Sequence, residues 1–210
     1  MSEEVKHRSR GGRLKAADAE RLNDVVLNAA RSLFTSIGYE RASMDQIAAD
    51  ARVSKRTIYS RFKTKADLFS TVIGQLGHKR LDELEAVEVA EGSPKEVLDA
   101  LARHLVELST DPETISLERM CSDLSHDFPE LAETRAAQAE RMVAIVARHL
   151  KRARQKAPVS EDLLRRDARI FLSMTLLPKL HRAMMRRSTE LEDEDAHFAR
   201  AVEIFLRGYE

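Results

Sequence analysis

From Leu22 onward, apolar side chains recur at Val26, Ala29, Ala30, Leu33, Phe34 and Ile37. This is the one-face spacing of an amphipathic helix, and Gly38 stands where a helix end needs a C′ residue. Ser43 precedes Gln46 by three residues, a capping-box spacing that opens a second helix with Ile47, Ala48 and Ala51 inward. Only Arg52-Val53 separate that helix from Ser54, so a tight turn leads to a third helix capped by Ser54, with Ile58 and Phe62 at i and i+4. After "KTK", Leu68, Val72, Ile73 and Leu76 begin a fourth helix; Gly74 and Gly77 within it allow either bending or close helix packing.

The same periods continue to the end of the chain. Ser93-Pro94-Lys95-Glu96 sets an N-cap, an N1 proline and an N3 acid before Val97, Leu98, Leu101, Leu105 and Leu108. Asp111-Pro112 starts a helix with Leu117, Met120, Cys121 and Leu124 on a face. "DFPEL" opens a long one from about Pro129 to Arg154, striped by Met142, Ile145, Val146, His149 and Leu150, whose basic end suits the helix dipole. Ser160 starts another that runs to about Arg187, where Pro178 predicts a kink near Met174. Thr189 and Glu192 have the spacing to cap a last helix with Phe198, Val202, Phe205 and Leu206 inward. No period-2 alternation and no internal repeat interrupts this pattern, so the class is all-α.

Composition agrees: 43% of 210 residues are hydrophobic, enough for a sizeable core, and only 7 Gly and 5 Pro break the chain. A single cysteine, Cys121, rules out an internal disulfide framework and fits a reducing cytoplasm. No apolar run is long enough to span a bilayer, and "MSEEVKHRSRGGRLK" lacks the apolar segment of a signal peptide, so a cytoplasmic protein is expected. Net charge is zero, but its distribution is uneven. Residues 1–65 hold 14 Lys+Arg against 8 Asp+Glu, a net of +6, and the remainder carries −6. One part of the chain is therefore suited to a polyanion and the other is not.

Three short helices with a tight turn before the third form a helix-turn-helix unit, whose second motif helix enters the major groove. Here that helix runs from Ser54 to Phe62. With Val53, Ile58 and Phe62 turned inward, Lys55, Arg56, Thr57, Tyr59, Ser60 and Arg61 face outward, and Lys63 and Lys65 follow. Lys, Tyr and hydroxyls suit phosphates, Arg also suits guanine, and the N-termini beginning at Ser43 and Lys65 offer free N–H groups to phosphates. A solvated charged face is the competing reading of this stretch alone.

The stretch "LNAARSLFTSIGYERASMDQIAADARVSKRTIYSRFKTKADLF" resembles the DNA-binding domain of the TetR family of bacterial transcriptional regulators. The resemblance rests on Phe34, Gly38-Tyr39, Ser43, Ile47-Ala48 and Val53-Ser54-Lys55, completed by Tyr59, Phe62, Lys65 and Leu68-Phe69. "DFPEL" is similar to the C-terminal domains of AcrR-like members. The resemblance implies that Tyr59 and Lys65 grip phosphates, that Ser54, Lys55, Thr57 and Arg61 lie near bases or backbone, and that Ser43 supplies a hydroxyl. Arg56 departs from the small residue of many members, which turns that position towards a guanine contact. The polar first 19 residues, with Lys6, Arg8, Arg10, Arg13 and Lys15 around Gly11-Gly12, read as a mobile basic arm, either solubilising or DNA-gripping; the resemblance implies a DNA-binding domain over 20–66 and a helical effector-binding and dimerisation domain over 67–210.

The resemblance further implies a repressor that binds a palindromic operator as a dimer and is released by a small, largely apolar effector. Expected pocket residues are His104, Leu105, Met120, Cys121, Leu124, Met142, Phe171 and Met174, each of which ordinary core packing also explains. Phe171, Leu172, Leu176, Leu180, Phe198, Val202 and Phe205 on the last two helices look too apolar for a monomer's surface and are expected to form a four-helix homodimer interface. No phosphate loop, nucleophile elbow or metal-ligand spacing is present in the sequence, and Cys121 and His126 are five apart on different sides of a helix. No enzyme activity, cofactor or metal is therefore expected. A helical protein-interaction module without DNA binding is the alternative.

Overall fold

A computed structural model describes residues 4–86, 93–153, 159–185 and 194–209, with side chains from residue 18 onward and excepting 194, 195 and 209. The described residues form ten helices and no strand: α1 (Glu4–Ile37), α2 (Met44–Asp50), α3 (Lys55–Arg61), α4 (Lys65–Glu85), α5 (Pro94–Thr110), α6 (Pro112–Leu124), α7 (Pro129–Ala153), α8 (Glu161–Thr175), α9 (Leu177–Met184) and α10 (Glu194–Tyr209). They separate into two compact units, residues 1–73 and 74–210, so the division falls inside α4 rather than before it, at residues 66/67.

In the first unit, local signals in the sequence act as expected. Gly38 has φ +83° and ends α1 with its N–H bonded to Phe34 O at 2.9 Å. Ser43 and Gln46 form both halves of a capping box on α2, and the Ser54 hydroxyl accepts from Thr57 N at 3.0 Å to cap α3. Between them Arg52 takes φ +55°, a left-handed conformation that strains a non-glycine residue. Its N–H bonds Ala49 O and that of Val53 bonds Ala48 O, which closes the turn of the helix-turn-helix. Val26, Ala30, Phe34, Ile47, Ile58 and Leu68 are fully buried in the small core. Phe34, Tyr39 and Phe69 stack or cross with centroids 5.1–5.8 Å apart, which ties the end of α1 to α4.

The expected mobile arm over 1–19 differs from what is found: α1 runs back to Glu4 through Gly11-Gly12. Arg, Lys, Ala, Leu and Glu dominate that stretch, and these helix formers offset two glycines.

The second unit packs α5, α7, α8 and α10 around Leu98, Leu101, Val146, Leu150, Phe171 and Val202. Caps again locate its helices. Ser93 and Glu96 form a capping box, Asp111 accepts from Glu113 N and Thr114 N at 3.1 Å, and Ser160 accepts from Leu163 N at 3.3 Å. Pro178 has a larger effect than a kink: α8 ends at Thr175 and α9 starts at Leu177, since a proline lacks the N–H that would continue the helix. The expected cap at Thr189 and Glu192 lies outside the described residues, as does Arg154 at the end of α7.

At Gly77 an added Cβ would meet only the Gln138 side-chain amide, the far end of a flexible side chain, so the glycine makes room for that amide beside α4. Gly74 has Thr134 Cγ2 4.0 Å from that position, an ordinary contact.

Candidate nucleic-acid interface and effector cavity

α3 presents a mixed surface. Ser54, Lys55, Arg56, Tyr59, Ser60 and Lys63 are exposed, with Tyr59 at 50% of its possible area. Half of the tyrosine is open to solvent beside cations, and its ring and hydroxyl suit a nucleic-acid backbone. Thr57 is half-buried and its hydroxyl lies 2.7 Å from that of Ser54. The Ser60 hydroxyl donates to Thr57 O at 2.8 Å, which leaves its oxygen open.

The cations expected at this surface fall into two groups. Arg56 and Lys63 are exposed, and no carboxylate among the described residues pairs with either side chain. Lys55, Arg61 and Lys65 are engaged within the unit. Lys55 Nζ donates to Asp45 Oδ2 at 2.6 Å, and this hydrogen bond, together with the carboxylate charge, raises the Lys55 pKa. Arg61 is half-buried rather than outward and reaches back to Ala19 O at 3.3 Å and Asn23 Oδ1 at 3.5 Å on α1.

Lys65 differs most from its expected role. Its ammonium donates to the carbonyls of Tyr39 (2.8 Å), Ala42 (3.1 Å) and Glu40 (3.3 Å), and lies 4.3 Å above the Tyr39 ring. A lysine has three N–H donors, so this ammonium closes the α1–α2 turn and has no donor over for phosphate. At the start of α4, Thr64 and Asp67 cap the helix reciprocally: Asp67 N donates to Thr64 Oγ1 and Lys63 N to Asp67 Oδ2.

The second unit holds a cavity of about 250 Å³. Leu81 and Leu84 of α4, Leu105 of α5, Met142 of α7 and Leu176 and Leu180 give it an aliphatic wall. Arg80, Thr114, Glu118, Arg135 and Gln138 supply its polar part. Arg80 pairs with Asp111 and donates to Leu108 O, while its Nε–H is buried without an acceptor among the described residues. Desolvation pushes the Asp111 carboxyl up, but hydrogen bonds from Arg80 and Thr114 outweigh it and hold the group below its ordinary range. Arg135 pairs with Glu118 at 2.7 Å.

Of the expected pocket residues, Leu105 and Met142 line this cavity. Phe171 is fully buried in the core against Phe205, with centroids 5.2 Å apart, and Met174 packs on that core. Cys121 is buried, and burial pushes its thiol up, which makes it unreactive. His104, Met120 and Leu124 are half-buried elsewhere. Arg80, Leu81 and Leu84 line the cavity without having been expected there; their place in the helical period of α4 is the sequence signal for them.

The residues expected at a dimer interface are also mainly core: Phe171, Leu172, Leu176, Phe198, Val202 and Phe205 are buried within the chain and Leu180 is half-buried. Among the described residues of this unit, the large apolar side chains that do face outward are Leu163, Ile170 and Leu177, spaced by seven, Met185 after α9, and Ile204 on α10. Among the described residues, no group of His, Cys, Asp and Glu can hold a metal, and no helix is long and apolar enough to cross a membrane.

Comparison with known proteins accounts for both units. Residues 26–72 match the pattern for bacterial regulatory proteins of the tetR family, and residues 96–210 match the C-terminal domain of AefR-like transcriptional repressors. The transcriptional regulator AcrR of Shigella flexneri is 34% identical over 98 residues, 46% of this chain and 45% of that protein, so this match spans under half of the relative. The HTH-type regulator YezE of Bacillus subtilis is 28% identical over 77% of this chain and 88% of its own. Among solved structures, a TetR-family regulator of Mesorhizobium loti superposes with a TM-score of 0.80 at 26% identity, covering 90% of this chain and 96% of that one. The flavonoid-responsive regulator FrrA gives 0.68 at 25% identity over 90% and 95%.

Proposed function

The chain belongs to the TetR family of bacterial transcriptional regulators, and we propose that it is a ligand-responsive repressor that binds a palindromic operator as a homodimer in the cytoplasm. The family's proteins are regulators rather than enzymes, and DNA binding through the helix-turn-helix is its common activity. The carrying observation is the outward face of α3 and the residues that flank it, where exposed Arg56, Tyr59 and Lys63 stand beside the Ser54 and Ser60 hydroxyls.

In this reading residues 20–66 form the DNA-binding domain and 67–210 the effector and dimerisation domain, with α4 contributing to both. Tyr59 and Lys63 contact phosphates, Ser54, Lys55, Thr57 and Ser60 lie at bases or backbone, and Arg56 reads a guanine bidentately. Arg61 and Lys65 support the site from within. Arg56→Ala then relaxes preference at one base position at a cost of about 1–3 kcal/mol; an equal loss on every sequence would reject the guanine contact.

Two further features support the dimer and the switch. Leu163, Ile170, Leu177 and Ile204 are each about half exposed, a stripe that a second copy would cover. Two-fold symmetry then places two recognition helices about 34–36 Å apart. The cavity supplies an effector site, and a ligand that prefers a state with the wrong helix spacing must lower DNA affinity. Binding to random duplex over a range of salt tests the DNA role: phosphate contacts make log K fall steeply with log salt. A flat dependence with weak binding would favour a protein-interaction module instead.

A further inference from the structure

If the chain binds DNA through α3 as proposed above, the surface around that helix is short of free positive charge. Of the five cations from Lys55 to Lys65, Lys55 pairs with Asp45, Arg61 turns back onto α1 and Lys65 holds three carbonyls. Arg56 and Lys63 remain, which is two per protomer. A protein held by about 6–10 phosphate contacts needs further cations.

The missing charge lies earlier in the chain. The twelve residues 5–16 hold Lys6, Arg8, Arg10, Arg13 and Lys15 and no Asp or Glu, a net of +5. Residues 17–65 hold 9 Lys+Arg against 6 Asp+Glu, a net of only +3. Most of the positive charge of the first unit therefore stands before its helix-turn-helix.

The fold ties that stretch to the recognition helix. α1 runs from Glu4 to Ile37 as one helix. Arg61, the last residue of α3, donates through Nη1 to Ala19 O at 3.3 Å and to Asn23 Oδ1 at 3.5 Å. The basic stretch thus starts beside the C-terminal end of α3, held there by a residue of α3 itself. From Ala19 back to Glu4 a helix rises roughly 22 Å, well over the roughly 12 Å width of the major groove. That length passes from the groove that α3 enters to the phosphates at its edge. A solubilising tail would need the charge but not the tether.

We propose that the N-terminal part of α1 is a second DNA-contacting element, which grips phosphates beside the half-site read by α3 through Lys6, Arg8, Arg10, Arg13 and Lys15. A mixture of Lys and Arg suits charge pairing with phosphates, whereas guanine needs the fixed fork of an arginine. The element therefore adds affinity without sequence preference.

Anisotropy titrations of the full chain with random duplex DNA at several salt concentrations test this. The variant carrying Lys6→Gln, Arg8→Gln, Arg10→Gln, Arg13→Gln and Lys15→Gln should lose about 2–4 per protomer from the slope of log K against log salt, and bind at least about 100-fold more weakly at low salt. Its thermal midpoint should hardly move, since the first buried residue described in α1 is Val26. A second variant, with Arg8→Lys, Arg10→Lys and Arg13→Lys, should keep both slope and affinity. An unchanged slope in the glutamine variant would overturn the assignment and leave the stretch a solubilising tail. A loss in the lysine variant as large as in the glutamine one would overturn it in favour of base reading by the arginines. Selection from random duplex by the unaltered chain separates this from the regulator itself. Enrichment of a site with an unchanged slope in the glutamine variant rejects the second element alone. A lowered slope without enrichment rejects the sequence-specific regulator and leaves the element standing, and no binding by the unaltered chain at low salt rejects both.

Discussion

Lys65 Nζ lies 2.8 Å from the Tyr39 carbonyl oxygen and 4.3 Å above the centre of the Tyr39 ring. With the carbonyls of Glu40 and Ala42 as further acceptors, one ammonium holds the turn between α1 and α2 from the first turn of α4. Charged hydrogen bonds of this kind contribute about 1.5–3 kcal/mol. Lys65→Met should therefore lower the thermal midpoint by roughly 4–10 °C. A lysine that acted only on phosphate would leave the midpoint unchanged and flatten the salt dependence of DNA binding, so calorimetry separates the two roles.

The Lys55–Asp45 pair places a carboxylate beside the recognition helix. Asp45→Asn releases Lys55 for phosphate. Binding to random duplex should strengthen, and the slope of log K against log salt should steepen by about one per protomer. Stability should hardly change, since an exposed pair contributes little. Anisotropy titrations at several salt concentrations check this; an unchanged slope would mean that Lys55 does not reach phosphate.

Ile170 and Phe171 are neighbours with opposite surroundings. Ile170 is 52% exposed and Phe171 fully buried. Ile170→Glu should leave the fold intact by circular dichroism and convert the dimer to monomer in sedimentation. Phe171→Ala should cost about 3–5 kcal/mol through the cavity it leaves. Dimers that persist in the Ile170 variant would place the interface elsewhere.

His149 sits buried in α7, hydrogen-bonded to the Leu84 backbone. Burial first, then the charges of Arg152 and Arg148, lowers its pKa below the ordinary 6.5, although the Leu84 bond and Glu85 oppose this. A folded value below the unfolded one means that the unfolded chain binds the extra proton first. Stability should therefore fall as pH drops below about 6.5 towards 5, before most carboxylates titrate. Chemical denaturation across that range should show the loss, and His149→Gln should reduce the slope.

What was legible in the sequence was the chemistry of near neighbours. Gly38, the Ser43–Gln46 box, the Ser54 cap and the Ser93-Pro94-Lys95-Glu96 start are all set within a few residues, and all appear in the structure. Distant partners were not legible. Lys65 meets carbonyls 23 to 26 residues away, and Arg61 reaches groups 38 and 42 residues away on α1. In a linear pattern these cations look like Arg56, which pairs with no carboxylate among the described residues. Periodicity likewise marked Phe171 and Leu105 as inward without showing that one fills the core and the other borders a cavity. The same limit explains the interface: an apolar helix face can be covered by the chain itself, as at Phe198 and Val202, or remain open, as at Ile204.

We propose that this chain reads DNA as a symmetric dimer through α3. Selection from random duplex DNA by the purified full chain at physiological salt tests it most directly. The expected result is an enriched two-fold palindrome with half-sites about one helical turn, or a multiple of it, apart. No enrichment, with no binding even at low salt, would contradict it.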